Sequence, residues 1–187
     1  MALLVWLGPF IRVALLPFLA ALSLSAMPEQ AVDEYKVKAA YLYNFAIFVE
    51  WPASAFQNDF DPISYCVLGD NPFGEALREA LEGKAVENRT LVLRQISDAK
   101  QAKTCHVLFI GSLDHKRVHT ILQDLKPYNI LTVGETQDFA AEGGVARFLL
   151  EAGRVRLEFN VDSAEDAKIH ISPKLLNLGR IIRRPGK

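Results

Sequence analysis

The stretch from residue 38 to 52, Lys-Ala-Ala-Tyr-Leu-Tyr-Asn-Phe-Ala-Ile-Phe-Val-Glu-Trp-Pro, constrains the fold more than any other. Between Ala39 and Val49 its only polar side chain is Asn44, apart from the hydroxyls of Tyr41 and Tyr43. A surface helix shows one apolar stripe along its length. This stretch is apolar nearly all round, so it demands cover from its own domain, from a second copy, or from a partner. It is too short to cross a bilayer, which takes roughly 20 apolar residues. Tyr35, Ala39, Leu42, Phe45 or Ala46, and Val49 recur at helical spacing and predict one helix over 29–50. Trp51-Pro52 ends it, because the residue before proline avoids the α region. Leu42, Phe45 and Val49 are expected to face inward. Tyr41, Asn44 and Phe48 are then the candidate dimer or partner surface.

Residues 1–26 carry a single charge, Arg12, followed by an apolar run over 13–22 and the small residues Ser23, Ser25 and Ala26. This reads as a secretory signal peptide cleaved near residues 25–27. The alternative is a membrane anchor, which the shortness of the run and Pro17 disfavour. The remainder divides into one domain over 27–182 and a loose tail at 183–187. The chain has 21 basic and 22 acidic side chains, and loss of Arg12 alone leaves the mature part at net −2. There is no basic surplus for nucleic acid. A hydrophobic content of 50% excludes disorder. The two cysteines, Cys66 and Cys105, form an even pair in an exported chain, which favours a disulfide over two buried thiols. If their strands end level at Gly69 and Gly111, the bridge requires stagger or strands of unequal length.

Apolar runs at 63–68, 90–96, 105–110 and 130–133 read as strands, with helices expected at 72–82 and 113–125. Asn71 and Pro72 suit a helix N-cap and first turn. Strand–helix alternation implies right-handed βαβ units and a parallel sheet. Segments 145–150 and 155–160, the second alternating apolar and charged residues, predict an antiparallel hairpin. Short helices are expected around 163–168 and over 174–182. The fold class is therefore α/β: a single domain with a mixed, mostly parallel sheet of about six strands, flanked by helices in Rossmann-like layers.

Glycine-containing loops follow three of these strands, at Gly69-Asp70-Asn71, Gly111-Ser112 and Gly134. In an open α/β sheet such loops lie where ligands bind, so these six are the candidate ligand-loop residues. Gly69 to Gly74 has the frame of a phosphate loop but then fails. Glu75 stands where lysine is needed, Ala76 replaces the magnesium-binding hydroxyl, and Asp70 repels phosphate. His115 and His119 are four apart on a predicted helix beside Asp114, but no third ligand is evident and no glutamate lies between them. His106 reads as a core or edge histidine. Asp162, Glu165 and Asp166 complement a helix start. No Gly-x-Ser-x-Gly elbow occurs. The expectation is a non-enzyme with no cofactor and no metal.

Taken in order, several segments resemble the YfiR-like family. They are Tyr35 with Lys38-Ala-Ala-Tyr-Leu-Tyr-Asn-Phe45, Glu50-Trp51-Pro52, Cys66 through Gly74, Cys105 through Ile110, Leu131 through Gly134, Phe139 with Gly143-Gly144, the 154–160 strand, and Ile171-Ser172 with Leu175-Leu176. The resemblance implies a mixed sheet flanked by helices and a periplasmic regulatory protein, often a dimer. It implies a partner, the periplasmic sensing domain of an inner-membrane diguanylate cyclase or similar sensor, held inactive by contact. An outer-membrane lipoprotein is implied as the partner that relieves the restraint. Cys66 and Cys105 match a family cysteine pair. A second pair in the better-studied branch falls at 140–147, where this chain has none. The rival reading is a periplasmic small-molecule-binding protein that uses the glycine loops.

Overall fold

The computed structural model describes residues 29–183, so the signal-peptide assignment and the last four residues lie outside the described residues. Helix α1 (Glu29–Phe48) lies on one face of the sheet with Ala39, Leu42, Phe45 and Ala46 buried against it. Buried Tyr65 donates its hydroxyl to the Leu42 carbonyl at 3.0 Å, tying the helix to the central strand. The helix ends two residues short of the expected point. Val49–Glu50 (β1) is already extended ahead of Trp51-Pro52 and pairs antiparallel with His170–Ile171 (β9). Val49 is nonetheless buried, as expected.

Strand β2 (Ile63–Leu68) is buried at every residue and lies near the middle of the sheet. Ile63, Tyr65 and Val67 face α1, while Cys66 and Leu68 face the opposite layer. That alternation explains its unbroken apolar run, since both faces are covered. The chain continues through α2 (Ala76–Leu81), β3 (Ala85–Val86) and β4 (Arg89–Ile96), then β5 (Val107–Ile110), α3 (His115–Leu125) and β6 (Leu131–Gly134). The hairpin β7 (Ala146–Glu151) and β8 (Arg154–Asn160) comes next, then α4 (Val161–Asp166), β9, α5 (Pro173–Leu176) and β10 (Gly179–Ile182). Ala152 and Gly153 both have positive φ, 48° and 73°, the geometry that closes a two-residue hairpin.

The main sheet has eight strands in the order β10-β8-β7-β6-β5-β2-β4-β3. Strands β4, β2, β5, β6 and β7 are mutually parallel; β3 and β8 run antiparallel to their neighbours β4 and β7. The chain leaves β2 through α2 on the α1 side and leaves β5 through α3 on the other side. The two neighbouring strands β2 and β5 thus feed crossovers in opposite directions, which makes their carboxyl ends a topological switch point.

Three expectations are corrected. The helix expected over 72–82 starts at Ala76, because Asn71 Oδ1 accepts from the Phe73 N–H at 3.1 Å and holds a turn there. The helix expected over 174–182 stops at Leu176, and Gly179–Ile182 is an edge strand parallel to β8. A Cβ at Gly179 would sit 2.7 Å from the Leu157 carbonyl oxygen, so glycine permits the approach, and Ile181-Ile182 favours the extended form. With β3 and β10 the sheet reaches eight strands and stays mixed and mostly parallel, as expected. The β5 strand also begins later than expected, because residues Ala99–Thr104 form a 3-10 helix capped by Asp98 that ends at Cys105.

That late start answers the geometric question about the cysteines. Cys66 pairs across with Leu108, while Cys105 precedes β5 and drops onto the same face of the sheet, so the Cα atoms are 5.9 Å apart and the disulfide closes. No helix among the described residues is long and apolar enough to cross a membrane.

Candidate functional site

The loops leaving β2 and β5 touch. A Cβ on Gly111 would fall 2.3 Å from the Asp70 carbonyl oxygen, so only glycine lets the loops close up. Gly69 sits at φ +83°, where glycine carries no Cβ penalty. Above them opens a crevice of about 320 Å³, lined by Asp70, Pro72, Gly111 and Ser112 from these loops, Phe109 and Ile110 from β5, Glu135 and Thr136 after β6, and Tyr35 from α1. Of the six expected loop residues, Asp70, Gly111 and Ser112 line this space. Asn71 holds its turn instead. Gly134 makes room for Phe139, whose ring a Cβ would meet at 2.4 Å. The Gly69 carbonyl accepts from Gln95 Nε2 at 2.6 Å.

Sequence reasoning does not single out Tyr35 or Thr136 as lining residues, and it takes in Glu135 only as the residue after Gly134 in the third glycine loop. The available signal is Tyr35 and Lys38, one helical turn apart on α1, and Glu135 directly after a strand-ending glycine. Tyr35 donates its hydroxyl to Glu135 Oε2 at 3.0 Å. Lys38, only 4% exposed, sets its ammonium 2.8 Å from Glu135 Oε1, against Glu34, and 4.2 Å from the centre of the Tyr35 ring. Burial works against the charged lysine, but its two carboxylate partners more than offset that and hold its pKa above the ordinary range. Burial and the adjacent Glu135 charge raise the Tyr35 pKa.

The expected partner surface is half-buried. Tyr41, Asn44 and Phe48 are each partly covered, with the Tyr41 ring 6.1 Å from that of Phe148. The exposed apolar residues of α1 lie beside them, Val37 (46% exposed), Ala40 and Ile47 (44%), with exposed Lys36 at their edge. Positions 37, 40, 41, 44, 47 and 48 keep helical spacing, so they form one continuous outward stripe. Its apolar side chains are broken only by Asn44 and the Tyr41 hydroxyl.

Elsewhere several titratable groups have structural partners. His115 and His119 are both exposed, and His115 Nδ1 lies 3.6 Å from Glu142. Among the described residues no three His, Cys, Asp or Glu side chains are grouped to hold a metal. Glu158, on the face of β8 expected to meet solvent, is only 5% exposed because Arg147 and Arg180 clasp it from the neighbouring strands. Arg183, expected in the loose tail, lies 3.2 Å from buried Asp162. The Arg94 guanidinium sits 3.5 Å and 3.6 Å from the two disulfide sulfurs while bonding Thr104.

Two crossovers wound in opposite directions from a shared pair of strands, with a crevice where they part, make this a doubly wound α/β domain. Its sequence places it more narrowly. The YfiR/HmsC-like family model matches residues 35–180, and the chain belongs to that family. No curated protein matches the chain significantly. Among solved structures, a conserved domain protein from Vibrio cholerae is 11% identical at a TM-score of 0.47, over 65% of this chain and 55% of that one. The ABC domain from Streptococcus pneumoniae, solved in complex with L-Trp, is 10% identical at 0.47, over 82% and 60%. The chain thus spans less than two thirds of either structure's length, and neither likeness bears on function.

Proposed function

We propose that this protein is an exported, non-enzymatic regulator that binds the periplasmic sensing domain of an inner-membrane signalling enzyme, a diguanylate cyclase, and holds it inactive. Family membership supports the class of target. The observation that carries contact as the mode of action is the outward stripe of α1: two large aliphatic side chains, Val37 and Ile47, near half exposure on a helix whose other face is already satisfied by the sheet. Restraint by contact needs no catalytic group, only a surface whose burial favours one conformation of the target over another. An outer-membrane lipoprotein competing for the same regulator would release the cyclase. A homodimer across the stripe is the competing occupant, and it would show as a doubled mass in solution.

The test is genetic. Deleting the gene is expected to raise cellular cyclic di-GMP, and the full-length gene in trans is expected to return it to the original level. An unchanged level in the deletion strain would sink the cyclase as target.

A further inference from the structure

Beyond protein contact, we propose that the crevice at the switch point binds a small organic ammonium compound, a primary amine on an apolar body. The position is where open α/β sheets take ligands, and the volume of about 320 Å³ suits a small molecule. The charge balance selects the ligand. Asp70 and Glu135 line the crevice and Glu34 adjoins it, against one cation, Lys38. Lys38 is buried and engaged by both glutamates, so it presents no free ammonium to an incoming anion. A phosphate or carboxylate ligand would therefore meet net negative charge. A cation would meet the exposed Asp70 carboxylate and the Ser112 hydroxyl.

The remaining walls decide between an organic cation and a bare metal ion. Pro72, Phe109, Ile110 and the Tyr35 ring offer apolar and aromatic surface. A metal ion gains nothing from those walls, and no three metal-ligating side chains are grouped among the described residues. An ammonium group donates hydrogen bonds to carboxylate and hydroxyl oxygens while its hydrocarbon body covers the aromatic wall.

Tyramine tests this by calorimetric titration and thermal shift on the purified mature protein, with 4-hydroxyphenylacetate and tyrosol as the matched acid and alcohol. Tyramine is expected to bind and raise the melting temperature, and the acid and alcohol are expected to do neither. Asp70→Asn, at an exposed position outside the core, is expected to keep the fold and weaken tyramine binding by about tenfold or more. Ser112→Ala is expected to weaken it less. Absence of tyramine binding, equal binding of the acid, unchanged affinity in Asp70→Asn, or stabilisation by calcium alone would each overturn the proposal. Because the readout uses the isolated protein, its failure would leave the regulator reading untouched.

Discussion

His106 is held in one protonation state by two backbone groups of opposite polarity. The Ser64 N–H donates to Nδ1 at 3.0 Å, and Nε2 donates to the Ala55 carbonyl at 3.1 Å. Only the neutral tautomer with its proton on Nε2 satisfies both. Phe56 stacks on the ring at 4.4 Å and Trp51 meets it edge-on. Burial, with a smaller contribution from nearby Arg89, holds the His106 pKa below the ordinary value, although the Ala55 carbonyl pulls the other way. The folded state therefore binds the proton less readily than the unfolded chain. At pH values above the unfolded pKa of about 6.5 the group has no effect. As pH falls through that value the unfolded chain is protonated first and stability is lost, until the lower folded pKa is passed. The urea midpoint is expected to fall between pH 7.5 and pH 5.5 by more in the native protein than in His106→Gln. Identical pH slopes in the two proteins would remove this role.

The disulfide has a residue-scale consequence of its own. It spans a sequence separation of 39 residues, and chain entropy assigns such a loop about 4 kcal/mol as an upper figure. Cys66→Ser is expected to lower the melting temperature relative to the native protein under oxidising conditions and to match it in reductant. A gap that persists in reductant would mean that the serine acts by spoiling the apolar layer around Leu68, Leu108 and Ile110 instead.

At the scale of the element, α1 has two faces with different work. Phe45, wholly buried against Phe148 and Phe159, is the anchor to the sheet, and Phe45→Ala is expected to cost about 3–5 kcal/mol. Val37 and Ile47 are near half exposed, so Val37→Lys with Ile47→Lys is expected to shift stability by no more than about 0.5 kcal/mol per site. Chemical denaturation checks the contrast. A large loss in the double lysine variant would mean that the stripe is covered within the monomer. Element type was legible where periodicity was strong: α3, with Val118, Ile121, Leu122 and Leu125 buried on one face, and β2 with its unbroken apolar run. It was not legible at 174–182. Leu175 and Leu176 share a helical rhythm with residues 178–182, and only contact with β8 makes Gly179–Ile182 a strand. Tertiary pairing decided there, as it did for Val49–Glu50 opposite His170–Ile171.

At the scale of the whole molecule, the layering came from the order of apolar runs and helices, since βαβ handedness leaves few arrangements. The crevice was half legible. Its floor comes from the glycine turns after β2 and β5, which the sequence marks. Its wall does not, because Tyr35 and Glu135 are 100 residues apart and nothing local announces their meeting. Glu158 shows the same limit: its burial depends on Arg147 and Arg180, from strands on either side. The candidate surface residues Tyr41, Asn44 and Phe48 are half-buried, and the most exposed apolar residues of the same helix, Val37 and Ile47, lie beside them. Helical spacing alone assigns a face only to within a neighbouring residue, and contact with Phe148 turned Tyr41 partly inward.

The most direct measurement is affinity purification of the tagged mature protein from its own envelope fraction, with the Val37→Lys, Ile47→Lys variant in parallel. The native protein is expected to retain an inner-membrane protein with a periplasmic sensing domain and a cytoplasmic diguanylate cyclase domain. The folded variant is expected to lose it. Recovery of no such cyclase with the native protein, or equal recovery with the variant, would contradict restraint through the α1 stripe.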